Sequence, residues 1–426
     1  MSRSSTRTVD VDCPAGTVRG VVHEDEGVRR FHSIAYSRIP APFNDALAAE
    51  PSSLIDATTP RPDDTALSLT TPATARPGAD LPVMVFIHGG RFEEGTHADP
   101  RTGAVGLCRR GVIQVQLGYR LRLAGLARFP DDAPSHFRAV HDCQLGLEWI
   151  QRNIEAFGGD PTNVTVVGQS AGAALTLWLS RRDHYRGEFR RVLSLSPAFP
   201  RMSYDARKPV LRSALGAPLT RSKLNALSRT APARLERAYR RLRTFYFTDM
   251  ALGPAPLEPA ELAEVDIVVT STREEMYATG AFADARGLGV VTLRGLGKRM
   301  GLPFARYRSY IGEARALSPA NVSGRFFSDS LIRRWVDAVA EGAPGPLWQA
   351  ELTSAYGPLR HSGELETLFT PGTRLNSWLV DYCGGARPGW PQYGPGRSVL
   401  RAEIDGPGCE VVEDPLGYVR RAFSAG

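Results

Sequence analysis

The stretch Gly168-Gln169-Ser170-Ala171-Gly172 leaves the chain few ways to fold around it. A β-branched run, residues 164–167, leads in, and an apolar, helix-prone run, residues 173–179, leads out. A strand, a tight turn and a helix together form the setting in which a serine is raised above a strand end as a nucleophile. Residues two before and two after such a serine press on neighbouring backbone, where a Cβ would clash, and both are glycine here. The serine takes a strained backbone conformation. The N–H of Ala171 then faces the same space and is placed to bond an oxyanion.

Around this stretch strands and helices alternate. Residues 17–22 and 28–34 read as antiparallel strands joined at Asp25-Glu26-Gly27. Residues 66–69 read as a short strand. Residues 82–87 are continuously apolar, which predicts a strand buried on both faces, and they end in His88-Gly89-Gly90-Arg91-Phe92. Two glycines there fit a plain turn and equally a loop with inward-turned N–H groups. Residues 111–117 are a second buried strand. Residues 139–157 have helical spacing, with Val140, Cys143, Leu147, Ile150 and Ile154 on one face, and stop at Gly158-Gly159. Residues 160–163 read as a turn and 192–196 as the next strand. These βαβ units predict a parallel sheet with helices on both faces.

From 197 to about 264 the pattern becomes helical and Arg-rich, with 215–246 broken at Pro218 and Pro232, and reads as an insertion above the sheet. Its basic amphipathic segment, 234–247, fits a cap helix with a solvated face better than a membrane-surface helix. Residues 265–270 read as a strand, 326–340 as a helix and 347–355 as the last strand. The tail, 371–426, is rich in Gly and Pro and ends in a short helix.

Composition removes several classes of function. The formal charge is +7, yet lysine occurs only as Lys208, Lys223 and Lys298. The arginines form no stripe interleaved with stacking aromatics, so nucleic-acid binding is not expected. The five cysteines, Cys13, Cys108, Cys143, Cys383 and Cys409, are widely spaced with no C-x-x-C, which fits neither a zinc site nor a disulfide framework. No metal or cofactor is expected. Residues 1–10 have no apolar core of a leader, and the longest apolar runs fall short of a membrane span. A soluble cytoplasmic protein is the expectation.

A serine nucleophile needs a base near neutral pKa, and histidine oriented by a carboxylate is the usual one. Of eight histidines, only His184 and His361 follow Ser170. His184 lies before the next strand, with no room for an acid-bearing strand between it and the serine. His361 follows the last expected strand, on the sheet edge where ligands bind in doubly wound folds, and is the better candidate. The acid should follow a strand end between the two. Glu274 and Glu275 do so after residues 265–270, and spacing alone does not separate them. Asp249, Asp266 and Asp329 are less well placed: in the insertion, at a strand start and at a helix start.

These segments together resemble the type B carboxylesterases, a branch of the α/β-hydrolases that includes bacterial carboxylesterases and cholinesterases. Residues 81–90 are similar to that family's oxyanion strand and loop, and 157–172 to its signature region. Thr270-Ser271-Thr272-Arg273-Glu274-Glu275-Met276 resembles its acid loop, in which the second of two acidic residues orients the histidine. Gly357-Pro358-Leu359-Arg360-His361-Ser362-Gly363-Glu364-Leu365 resembles its histidine loop, and Trp390-Pro391-Gln392-Tyr393 its C-terminal Trp-Pro segment. The resemblance implies one α/β-hydrolase domain over residues 1–426, mostly parallel in its sheet, with 197–264 as a short helical cap. It implies Ser170, Glu275 and His361 as catalytic triad, the N–H groups of Gly90, Arg91 and Ala171 as oxyanion hole, and Glu364 as a loop-fixing carboxylate. The implied substrate is a small to medium carboxylic ester, cleaved through an acyl-enzyme. Amidase, lactonase and acyltransferase chemistry use the same triad, and a binding protein on this fold is the alternative of another class.

The chain departs from the family at several positions. Arg91 stands where Gly or Ala is usual, Gln169 where Glu is frequent, Gly118 for Asn, Cys143 for Gln and Thr65 for an early cysteine. These changes bear on substrate preference more than on the triad.

Overall fold

The computed structural model describes residues 7–62 and 65–424. Residues 1–6, most of the stretch read for a leader, lie outside them. Among the described residues one sheet of 13 strands runs through the chain. Its centre is parallel: Ile113–Leu117, Leu81–Ile87, Gly159–Gln169, Arg191–Leu195, Asp266–Thr272, Leu347–Thr353 and Ser398–Glu403, in that spatial order. The N-terminal edge is antiparallel, with Ala66–Pro72 beside Ile113–Leu117, then Val28–Ala35, Gly16–His23 and Thr8–Cys13.

The sheet grows from Leu81–Ile87 first to one side and then to the other. Strand order therefore reverses beside that strand, and a reversal opens a crevice at the C-terminal strand ends. Both His88 to Phe92 and the Ser170 turn sit at the ends of strands flanking this point.

Several expected elements differ in the structure. Residues 347–355 are not the last strand, since Ser398–Glu403 pairs parallel beyond them and Cys409–Glu413 antiparallel to that. Residues 160–163 are not a free turn. They are the slack of a bulge, because Gly159 pairs with Leu81 and the next pair is Val164 with Val83. Asp160 holds the bulge by accepting from the N–H and hydroxyl of Thr162 (2.7 and 2.8 Å). The helix expected at 326–340 begins earlier, at Val322, and carries a π turn at Asp329–Arg333 before continuing to Gly342. Buried Asp329 accepts there from Tyr310 (2.7 Å) and Tyr418 (2.8 Å).

The Arg-rich insertion forms the helices Tyr204–Leu215, Arg221–Thr230 and Pro232–Phe245. Ser203 and Thr220 cap the first two by accepting the N–H groups of Ala206 and Lys223, and Pro232 starts the third, where its missing N–H costs nothing. Leu211, Leu224, Tyr239 and Leu242 form the buried side. No helix among the described residues is long and apolar enough to cross a membrane.

One buried ion pair ties the N-terminal loop to the sheet. Arg120 donates to both oxygens of Asp142 (2.7 and 2.8 Å) and to the carbonyls of Pro42 and Asn44. Both side chains are almost fully buried. Asp142→Ala leaves that guanidinium buried without a counter-charge and is expected to cost about 3–5 kcal/mol. Urea unfolding followed by circular dichroism measures this, and a loss under about 1 kcal/mol would be too small for a buried pair.

Candidate active site

Ser170 has φ 56° and ψ −115°, a conformation that L-residues rarely adopt. Close packing on either side holds it. A Cβ on Gly172 would fall 2.0 Å from the Ile87 carbonyl oxygen, and one on Gly168 would fall 2.4 Å from that of Gly172. The Ser170 N–H donates to Leu195 (2.9 Å), and its carbonyl accepts from Ala174 (3.0 Å). The following helix, Ala171–Leu179, is buried at every residue, and Ser170 itself is 5% exposed.

The structure brings His361 and Glu275 together. The imidazole Nδ1 lies 2.6 Å from Glu275 Oε2, and the His361 N–H donates to the Glu275 carbonyl (3.0 Å). The other oxygen, Oε1, accepts from the Ser196 hydroxyl (2.6 Å) and the Thr272 N–H (2.8 Å). The carboxylate oxygen facing Nδ1 fixes the tautomer with hydrogen on Nδ1. Nε2 is then an acceptor, and the Gln169 side-chain amide donates to it at 3.3 Å. Nε2 thus faces the residue next to Ser170. Glu274 points elsewhere and accepts from the Leu359 N–H (3.2 Å), anchoring the histidine loop.

The other candidates lie in other pairings. His184 contacts Asp183 (2.9 Å) and packs edge-on against Trp178. Asp249 pairs with Arg207 (2.6 Å), Asp329 with two tyrosines, and Asp266 begins its strand. Glu364 was expected to fix its loop through its carboxylate, and it does not: the group is fully buried and neither oxygen bonds another residue. Burial, reinforced by the Glu275 charge, raises its carboxyl to about 7. Neither Ser196 nor the Thr272 N–H carried any signal in the sequence: Ser196 reaches Glu275 from the neighbouring strand end, and the Thr272 N–H through the turn that brings Glu275 back onto it.

The loop after Leu81–Ile87 lies against the serine. A Cβ on Gly89 would fall 3.2 Å from Ser170 Cβ. Gly90 has φ 101°, and Arg91 and Phe92 follow at 58° and 60°, left-handed conformations that favour glycine. The N–H groups of Glu93 and Glu94 close the loop on the Gly90 carbonyl (2.8 and 3.2 Å), bonds that use none of the Gly90, Arg91 and Ala171 donors. The Arg91 guanidinium reaches across to the Asp249 carbonyl (3.2 Å). His88 stacks on Tyr119 (4.4 Å), and burial lowers its imidazole to about 4, so it is neutral.

One cluster has metal-ligand spacing. The ligand atoms of Asp45, Asp132 and His136 lie within 4.8 Å of one another. Arg138 (2.6 Å) and Arg221 (2.7 Å) already neutralise Asp132, so the cluster is built as an ion-pair network.

Residues 5–215 match the sequence model of the carboxylesterase family. A probable N-octanoylanthranilate hydrolase of Rhodococcus erythropolis is 33% identical over 208 residues, 43% of this chain and 45% of that protein. The para-nitrobenzyl esterase of Bacillus subtilis is 32% identical over 216 residues, 45% of this chain and 44% of that protein. The chain thus spans less than half the length of the curated relatives it matches. The solved Geobacillus stearothermophilus carboxylesterase superposes with a TM-score of 0.78 at 21% identity, over 97% of this chain and 100% of that one. The chain has the α/β-hydrolase fold.

Burial disfavours the His361 imidazolium, but the Glu275 charge and hydrogen bond outweigh it and raise the group above its ordinary 6.5. Glu364 adds to the rise and Arg91 opposes it. By NMR, His361 is therefore expected to titrate above 6.5. Glu275→Gln removes the charge that holds the proton, so the midpoint falls. Arg91→Gly removes an opposing charge, so the midpoint rises; a fall in that variant would contradict the arrangement.

Proposed function

The chain belongs to the carboxylesterase family, and from that premise we propose that it is a serine carboxylic-ester hydrolase acting on small to medium esters through an acyl-enzyme. The observation that carries this reading is the Glu275–His361 pair, 2.6 Å apart, with Nε2 turned toward the Ser170 turn. Residues 1–426 are taken as one domain and 197–264 as its cap.

Ser170 Oγ attacks the ester carbonyl while His361 Nε2 takes its proton. The negative oxygen that develops is held by the N–H groups of Gly90, Arg91 and Ala171, each such donor being worth about 3 kcal/mol in comparable sites. The tetrahedral adduct collapses, the C–O bond to the alcohol breaks, and His361 returns the proton to the leaving oxygen. Water then attacks the acyl-enzyme with His361 again as base, and the acid and Ser170 hydroxyl are released. Glu275 keeps its charge throughout, holding the tautomer and stabilising the imidazolium. Gln169 orients the imidazole without adding the negative charge a glutamate would bring there.

A second reading, N-acyl amide hydrolysis, draws support from the relative named as an N-octanoylanthranilate hydrolase. The same acyl-enzyme forms, and His361 protonates a leaving nitrogen instead of an oxygen. Comparing para-nitrophenyl octanoate with the octanoyl anilide of the same ring separates the two, since the acyl half is common.

The test of the whole reading is a small fluorophosphonate followed by peptide mapping. A single adduct on Ser170, lost in His361→Ala, is expected. Ser170→Ala should lower para-nitrophenyl ester turnover by at least about 10⁴-fold with the circular dichroism unchanged. A folded protein that takes no adduct sinks the esterase reading and leaves a binding protein on this fold.

Arg91 adds a selectivity to the proposal. Its guanidinium is pinned at the cap side of the site, so an ester bearing a carboxylate near the scissile bond gains a partner. Arg91→Gly is expected to lower kcat/KM for such an ester roughly five- to tenfold relative to a neutral one, measured well above the His361 midpoint so that protonation does not enter. Equal losses on both substrates would rule out charge selection.

A further inference from the structure

The helix Pro232–Phe245 carries five arginines and one acidic residue, Glu236. Its apolar side, Ala238, Tyr239 and Leu242, is buried in the protein, so that stripe is not free to lie on any other surface. Two of its charges are matched: Glu236 meets Arg122 (2.9 Å) and Arg243 meets Glu93 (3.1 Å). Arg237, Arg240 and Arg241 stay exposed, and Arg241 reaches only the Ala214 carbonyl (3.5 Å). Exposed Arg299 stands beside them and donates to the Phe245 carbonyl at the end of the helix. These four arginines line one open, shallow surface, and none has a carboxylate partner among the described residues.

Two phenylalanines share that surface. Phe245 is 53% exposed and Phe247 60% exposed. Large rings left in water beside unmatched cations mark a surface that something covers. Arg299 fixes both rings in place, its guanidinium carbon lying 5.8 Å from the Phe245 centroid and 4.9 Å from that of Phe247. One face of each ring is thereby occupied, which disfavours stacking on a nucleic-acid base. The surface also has a fixed place relative to the site. Phe247 stands two residues before Asp249, whose carbonyl accepts from Arg91 in the loop beside Ser170 (3.2 Å).

We propose that this surface docks the chain on an anionic lipid bilayer. Headgroup phosphates take the four guanidinium groups, and the two rings enter the boundary between headgroups and acyl chains. The unmatched positive charge complements such a surface, and a neutral bilayer offers it no partner. Docking there turns the Ser170 end of the sheet toward the lipid. The docking does not depend on the ester-hydrolase reading, because binding is measured without turnover.

The test is sedimentation of the intact chain with vesicles of phosphatidylglycerol and phosphatidylcholine in equal parts, and with vesicles of phosphatidylcholine alone. Binding to the first and not to the second is expected, and salt at about 0.5 M should remove most of it. Arg240→Glu combined with Arg241→Glu should weaken binding at least about tenfold, since each basic residue near such a surface is worth roughly fivefold. The chain is basic throughout, so a matched control is needed. Arg152→Glu with Arg186→Glu makes the same charge change at exposed positions, Arg186 lying just ahead of the strand Arg191–Leu195 and so at the sheet end opposite Ser170. That pair should cost less than about twofold. Phe247→Ser leaves the charge unchanged and should weaken binding several-fold. No binding of the wild-type chain to the anionic vesicles overturns the proposal. Equal losses in the two charge-reversed pairs also overturn it, because net charge alone then accounts for the binding. So does Phe247→Ser binding as the wild type does, which leaves a site for a soluble polyanion such as an oligonucleotide or an acidic peptide. Unchanged circular dichroism and unchanged turnover of a soluble ester show that each variant is folded.

Discussion

The close approach of two backbones at Gly172 and Ile87 is the constraint from which the rest of the site follows. Only hydrogen fits between them, as the 2.0 Å separation from a notional Cβ makes plain. That contact lets the helix Ala171–Leu179 start directly against the neighbouring strand end. The start of the helix in turn forces Ser170 into its rare conformation. The same approach brings the loop after Leu81–Ile87 against the serine. A larger residue at 172 would separate the serine from that loop before it changed any side chain of the site.

Once the serine is placed, a single carboxylate organises the approach from the other strands. Glu275 receives donors from Ser196, Thr272 and His361, which come from two strand ends and the loop beyond a third. Both of its oxygens therefore have partners within the protein. Glu364, equally buried and without these donors, is pushed up to about 7. Two buried glutamates in one neighbourhood thus have opposite surroundings: one meets three donors, and neither oxygen of the other bonds another residue.

How far the sequence could be read follows the same physics. The buried parallel strands were legible because burial on both faces leaves an unbroken apolar run, as in Leu81–Ile87. Ser398–Glu403 and Cys409–Glu413 were not, because these partly exposed strands carry Arg401, Glu403, Glu410 and Glu413 within them. The helix Tyr204–Leu215 holds Pro209 inside it, against propensity, and is kept by burial of Leu211 and Arg207. At the site, Ser170, His361 and the pair Glu274-Glu275 stood out through strand-end position and chain order. Spacing did not separate the two glutamates, and only the resemblance of residues 270–276 to the acid loop pointed to Glu275; the packing that turns it to His361 and Glu274 to the Leu359 N–H is visible in the structure alone. The left-handed conformation of Arg91 gives a physical reason why glycine suits that position, and the resemblance alone could not supply one.

Asp249 has a meaning for how such chains can be rearranged. Its carboxylate binds Arg207 of the helix Tyr204–Leu215 and the Arg201 N–H, while its carbonyl accepts from Arg91 in the loop beside Ser170. This Arg-rich segment and the loop are thus fastened at one residue, with arginines converging from both. The insertion is not a detachable module. A chimera that exchanges residues 197–264 for another relative's segment inherits a loop whose Arg91 was fitted to this Asp249. Segment boundaries that respect the sheet would still cut this joint, so Arg91 and Asp249 behave as a unit of inheritance that spans two regions of the chain.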